Sequence, residues 1–338
     1  VVSFVNNENS SAVLTGFTIQ NGTAAAGYFT SGPFTNGVGG GILCDGTSPV
    51  LDNLIIQNNT TANGEGKYGG GIFSINGNVS IQNCIVRNNS SEYGSGIWIH
   101  GSSSGSIKNS IIYENTANGS PGASVVIASG GGSSKRTSVI NTVIFNNNKI
   151  GLSVVDGSGV DIVNSIIKNN VSSTDSVEIN IGSNANASIS YSMIPKGLNA
   201  VNNDGDITWG TGNIDVVDIF VDAANGNYHL SDYSPCIGAG IITGVPLTDL
   251  DGNPRPNPEG SNPDMGAYES SRAKRLLYTA PIMDGLDSTD ISFWNDVSTL
   301  SGHWQKFEDN SSVTYQYAIG TYDANNIVDW QSAGNDTF

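Results

Sequence analysis

Six seven-residue stretches of this chain, 50–56, 80–86, 106–112, 138–144, 161–167 and 188–194, can be written on top of one another. The first five carry Asn53, Asn83, Asn109, Asn141 and Asn164 at their centre, the sixth carries Tyr191 there, and apolar residues flank that column in every copy. The copies recur every 23 to 32 residues. A repeat in this range marks a solenoid or an array, in which each unit buries its apolar face against its neighbours. Within a copy, apolar and polar residues alternate with a period of two, which argues a strand with one buried face and not a helix. The frequent Gly and β-branched residues point the same way.

Asn in register at each repeat has a physical reason in a parallel coil. Equivalent residues of successive turns then stack at the ~4.8 Å spacing of paired strands, so buried amides can bond up and down a ladder. The pairs Asn58-Asn59, Asn88-Asn89, Asn146-Asn147 and Asn169-Asn170 that follow the copies are turn residues, because Asn tolerates left-handed backbone. A second strand follows in each coil, and the first three, at Ile42, Ile72 and Ile97, come after the tight clusters Gly39-Gly40-Gly41, Gly69-Gly70-Gly71 and Gly94-Ser95-Gly96. Glycine there permits positive φ and close approach of neighbouring coils. The chain is therefore read as all-β: a right-handed parallel β-helix over residues 1–222, of about seven rungs, with right-handed crossovers. Gly16 takes the Asn column in an earlier rung.

Composition narrows the function. The net charge of −17 disfavours nucleic acid and anionic lipid surfaces, which need clustered cations. No apolar run approaches the ~20 residues of a membrane span. The three cysteines, Cys44, Cys84 and Cys236, have no metal spacing and read as buried small side chains. Few charges with abundant Asn, Ser, Thr and Gly fit an exported protein. The abrupt ends read as those of a fragment of a longer polypeptide.

A second signal lies between residues 210 and 269: Gly212-Asn213-Ile214-Asp215, Phe220-Val221-Asp222, Asn227-Tyr228-His229-Leu230, Ser234-Pro235, the run from Asp249 to Pro256, and Asp264-Met265-Gly266-Ala267-Tyr268-Glu269. This segment resembles the C-terminal end of bacterial right-handed β-helix proteins of the choice-of-anchor Q domain type. It departs from that pattern at Val217-Asp218 and Gly238. The resemblance implies a secreted or surface-anchored bacterial protein, with 223–271 closing the helix, and it implies no defined activity. Beyond Arg272-Ala273-Lys274-Arg275 the aromatic, alternating stretch 276–338 resembles a fibronectin type III-like sandwich cut short, with 63 residues against about 100 in a complete module.

Chemistry is sparse. Hydrolases and lyases of this fold act on polysaccharides through paired carboxylates, or through a basic residue often helped by calcium. None of the hydrolase signatures is present. The candidate cations Lys67, Arg87, Lys108, Lys135, Arg136 and Lys168 read as solvated surface residues; Arg87 and Lys168 share a column but stand three rungs apart. His100 and His229 read as a rung-edge residue and a packing residue. Asp249, Asp251 and Asn253, with Asp264 and Glu269, invite a calcium reading, but the loop fails the EF-hand pattern and an Asp-Gly turn accounts for it. No other cofactor is implied. Aromatic residues in or beside the glycine-rich loops, Tyr28, Phe29, Phe34, Tyr68 and Tyr93, are the candidate ligand-binding residues, since sugar rings stack on such faces.

The sequence thus predicts an extracellular or cell-surface structural or adhesive protein. Its partners would be an extracellular polysaccharide or other surface subunits, with self-association through the end or side of the helix. The alternative is a polysaccharide lyase or glycoside hydrolase acting on an extracellular polymer.

Overall fold

The computed structural model describes residues 1–24, 28, 37–61, 67–101, 104–119, 122–128, 136–170, 177–216 and 219–276. Of the stretch after 276 it describes the strands at 283–284, 302–303, 315–321 and 324–334. The chain divides into two compact units, Val1–Arg275 and Leu276–Phe338.

The first unit is a right-handed parallel β-helix. Two sheets run its whole length with eight strands each. Sheet I starts at Val2–Phe4 and ends at Val201–Asn203; sheet II starts at Val13–Thr15 and ends at Asp206–Trp209. Sheet III has six strands, from Thr18–Gln20 to Ile166–Lys168, and single bridges through Met193 and Ile214 extend it. Sheet IV is a short four-stranded ladder from Thr23–Ala24 to Thr116–Ala117. All pairings in these four sheets are parallel and in register, for example Leu51 with Ile81 and Ile81 with Ile107. The stack has one rung more than the repeat pattern indicated, because Gly212, with φ +76, takes the corner position after Asp206–Trp209.

Each seven-residue copy proves to be two strands, not one. The central Asn bends the chain: Asn53, Asn83, Asn109, Asn141, Asn164 and Tyr191 have φ between +48 and +54. Asn enters left-handed backbone more readily than most residues, so a column of it builds a column of corners. The strand before each corner belongs to sheet II and the strand after it to sheet III. Alternation on the two sides then drives one residue of each strand inward. Leu51, Ile81, Ile107, Val139, Ile162 and Ile189 line the interior from sheet II, and Ile56, Val86, Ile112, Ile144 and Ile167 from sheet III; all are fully buried. Burying each such side chain contributes about 1.5–3 kcal/mol.

The interior amide ladder sits one turn further on than the repeat pattern suggested. Among the corner residues the side-chain chain is broken: Asn83 bonds Asp52 and Asn109 bonds Asn83, each at 2.7 Å, but Asn141 donates to Asp264 O and Gly266 O instead of to Asn109. The unbroken ladder uses the second Asn of each turn pair. Nδ2 of Asn59, Asn89, Asn115 and Asn147 donates to Oδ1 of the next rung at 2.7–3.1 Å, and Asn170 donates to Glu178 Oε2 at 2.9 Å. The first Asn of each pair supplies the left-handed residue instead: Asn58, Asn88, Asn146 and Asn169 have φ of +51 to +58.

The glycine clusters lead into sheet I. Gly39, Gly69 and Gly94 have φ of +59 to +67. A Cβ on Gly70 would meet backbone carbonyls from two directions, Ser95 O at 2.5 Å and Ser90 O at 2.7 Å.

Residues 219–270 run back along the side of the coil. Ile219, Tyr228, Leu230, Cys236, Ile237, Met265 and Ala267 pack onto the outer face of sheet III, against Ile111, Tyr113, Val143, Phe145 and Ile166. The footprint can be followed down the outward column Gln20, Gln57, Arg87, Tyr113, Phe145, Lys168. Its first member is exposed, the next two are partly buried and the last three are buried. Rungs one to three of sheet III are therefore left as a ledge, and the strap covers rungs four to six.

The second unit contains antiparallel pairs, Tyr315–Thr321 with Ala324–Gly334 and Met283–Asp284 with Gly302–His303. Antiparallel pairing distinguishes it from the coil.

Candidate functional site

Two of the aromatic residues singled out from sequence come together. Val38, Tyr68 and Tyr93 form a column of parallel bridges directly before the positive-φ glycines. That register places the Tyr68 and Tyr93 rings 5.6 Å apart at 23°, a stacked pair. Trp98, on the outer face of sheet I, meets Tyr68 edge-on at 4.6 Å and Tyr93 at 6.4 Å. The three rings rest on an outward apolar cluster that includes Leu43, Phe73 and Val126. Both tyrosines are half-buried. Burial raises both phenol pKa values; for Tyr68 the neighbouring Tyr93 and Glu92 add to it, and for Tyr93 it is Glu92. The platform is thus neutral aromatic surface with a carboxylate beside it.

Tyr28 stands apart from the stack, and its hydroxyl bonds Asp45 Oδ2 at 3.2 Å. Phe29 and Phe34 lie outside the described residues. Sequence reading passed over Trp98 as a strand residue. Its indole Nε1 is buried without a hydrogen-bond partner among the described residues. The signal was its place in the outward column Leu43, Phe73, Trp98, Val126.

His100 lies 6.4 Å from the Trp98 ring, and burial lowers its pKa while Asp156 opposes the shift. His229 does more than pack: its Nε2 is 2.8 Å from Asp251 and its ring stacks on Tyr268 at 3.9 Å.

The supposed surface cations divide. Lys168 is 9 % exposed, buried beneath the strap, which corrects its reading as a solvated residue. Arg136 is held by Asp161 at 2.6 Å. Arg87 donates from Nε to Gln57 Oε1 at 2.9 Å and from Nη1 to the Tyr113 hydroxyl at 2.7 Å. Lys135 lies outside the described residues. Arg87 and Lys168 do share one column with Tyr113 and Phe145 between them, too far apart to act on one bond.

The acidic residues considered for calcium direct their oxygens to N–H groups and to a guanidinium. Asp249 accepts from the backbone of Asp251, Asn253 and Glu269 and from Asn253 Nδ2 at 2.8–3.0 Å. Asp264 accepts from Gly238 and Ser270. The cation among them is Arg255, fully buried, 2.8 Å from Glu269 and 3.1 Å from Asn109 Oδ1 on the coil. Burial pushes Glu269 up to about 7 and Asp264 up to about 6, against the pull of Arg255. Among the described residues no group of three His, Cys, Asp or Glu is placed to hold a metal ion. The three cysteines are free and buried, as read from sequence.

The chain matches no family model, no curated protein and no solved structure. Its class rests on the geometry above: a right-handed parallel β-helix with a buried asparagine ladder and a strap along one side.

Proposed function

We propose that this protein is an extracellular or cell-surface structural and adhesive β-helix that holds a glycan on the Tyr68–Tyr93–Trp98 platform. The observation that carries the reading is the stacked Tyr68 and Tyr93 pair fixed at rung spacing by parallel backbone bridges. Apolar ring faces beside a carboxylate, Glu92, suit a sugar, whose CH faces stack while its hydroxyls donate. The low charge content and the likeness of 210–269 to surface-anchored β-helix proteins support an exported setting, and the likeness of the last stretch to a sandwich module fits a multidomain surface protein. A coil of in-register rungs is a rigid spacer, which suits a scaffold.

The test is binding of the purified protein to immobilised neutral polysaccharides, scored together with release of reducing or unsaturated ends. Tyr68→Ala with Tyr93→Ala is expected to abolish retention while the coil, whose interior core holds neither residue, stays folded. Retention unchanged in the double variant refutes the platform, and end release that survives repurification moves the protein to the enzymes.

A further inference from the structure

We infer a second glycan subsite, on the ledge of sheet III, in which Arg87 receives the carboxylate of an acidic sugar within a mainly neutral oligosaccharide. The ledge lies on a different sheet from the aromatic platform, and its argument is independent of that reading.

The chain has 30 acidic and 13 basic side chains, so a guanidinium here finds a carboxylate easily. Arg136, Arg255 and Arg272 each have one, at 2.6, 2.8 and 2.9 Å. Arg87 has none. Instead it is held by two neutral oxygens, Gln57 Oε1 and the Tyr113 hydroxyl, and lies 5.9 Å over the Tyr113 ring. Those contacts use the Nε N–H and one N–H of Nη1, and leave the other Nη1 N–H and both of Nη2 for a planar acceptor. The guanidinium fork suits a carboxylate, and a fork already oriented loses little freedom on binding.

The floor beside it has the form of a polysaccharide track. Gln57 Nε2 donates to Gln20 Oε1 at 2.8 Å, so Gln20, Gln57 and Arg87 make a row of amide and guanidinium groups, one per rung. Rungs repeat at ~4.8 Å, close to the length of one pyranose residue. Amides of this kind exchange hydrogen bonds with hydroxyls in both directions. At the end of the row the strap rises as an aromatic wall. Tyr228 meets Tyr113 at 5.0 Å, and Tyr268 is stacked on His229. The Tyr228 hydroxyl, on a residue 2 % exposed, has no hydrogen-bond partner among the described residues, and the fields of Tyr113, Glu114, Arg87 and Tyr268 reach it.

Charge decides the composition of the ligand. A polymer with an acid on every residue would be repelled by a chain of net charge −17, and Glu114 stands exposed beyond Tyr113. A single carboxylate among neutral sugars meets Arg87 locally, while more distant charges are screened beyond about 8 Å at physiological salt.

The experiment is calorimetric titration of the full chain with an oligosaccharide of neutral hexoses bearing one glucuronate, and with the same oligosaccharide after reduction of its carboxyl. Wild type is expected to favour the acid form by about tenfold, the factor one charge-assisted hydrogen bond supplies. Arg87→Gln, which extends the Gln row and keeps the melting curve, should remove the preference, and Glu114→Gln should increase it. Tyr68→Ala with Tyr93→Ala should leave it unchanged, which separates this site from the platform. Equal affinity for the two sugars, no binding of either, or a preference that survives in Arg87→Gln overturns the inference. So does an acidic peptide that binds at Arg87 where the sugar does not.

Discussion

Replacing Asn115 by Ala tests whether the amide ladder holds the coil together. Asn115 Oδ1 accepts from both the backbone N–H and Nδ2 of Asn89 at 3.0 Å. Its Nδ2 donates to Val86 O, Tyr113 O and Asn147 Oδ1 at 3.0–3.1 Å. After truncation the Asn89 amide loses its acceptor in a fully buried position, whereas Asn89 Nδ2 keeps Ile56 O and Asn147 Oδ1 keeps the Asn115 N–H. An orphaned buried donor costs about 1–3 kcal/mol and the other lost bonds add to it, so a loss of at least about 3 kcal/mol is expected. For a unit of this size that lowers the melting temperature by about 6–12 °C. Asn118→Ala is the control, since Asn118 is exposed and makes one 3.3 Å side-chain bond to Ser90; its effect should stay within about 0.5 kcal/mol. A solenoid can open rung by rung, so the melt is paired with amide hydrogen exchange, in which Asn89 N–H should lose protection first. If Asn115→Ala melts with the Asn118 control and Asn89 stays protected, the ladder is a passenger of aliphatic packing and the reasoning is wrong.

Glu269 and Asp264 give the unit an unusual pH dependence. Their folded pKa values, about 7 and about 6, stand above the ordinary 4.5 and 3.8. The cost of burying the ionised forms is therefore fully present above pH 7 and disappears as pH falls toward 4. The melting temperature should rise on acidification from pH 8 to pH 5, and Glu269→Gln should flatten that slope; an unchanged slope in the variant would show that general charge repulsion causes it. Gly70→Ala, whose Cβ would press on two backbone carbonyls, should destabilise the coil far more than Gly46→Ala, where φ is +64 and the space is open. The Gly46 change should cost only about 1–2 kcal/mol of left-handed strain, and equal denaturant midpoints for the two variants would contradict the close approach of neighbouring rungs.

The coil was legible in sequence because each rung repeats the same local problem. Ile81, Ile107 and Ile162 recur at the same offset from a polar corner, and a parallel stack is the arrangement that buries them all. Less visible was which Asn did which work. Asn53 and Asn59 are the same residue type six positions apart; one bends the backbone at φ +49 and the other carries the ladder. Composition cannot separate a left-handed corner from a buried amide, since Asn serves both. Position in the rung could have: the ladder residues Asn59, Asn89, Asn115, Asn147 and Asn170 each stand six residues after the corner Asn of the same rung.

The strap shows why the sites were harder to read than the coil. A repeat is recognised by what stays constant between rungs, whereas a site arises where one column changes. Along sheet III the outward column passes from Gln20 and Gln57 through Arg87 to Tyr113 and Phe145. That switch from amide to aromatic is the sequence trace of the strap's edge, because aromatic side chains there are buried only if something covers them. Tyr228, Phe220 and Phe145 then lock edge to face at 5.3–5.5 Å, and Arg255 reaches Asn109 on the coil from a position 146 residues away. Contacts at such separation leave no periodic signal. Arg87 falls at the step itself, the last polar member of its column before the covered rungs. There it is oriented by Gln57 and Tyr113, its neighbours above and below in the same column of the coil.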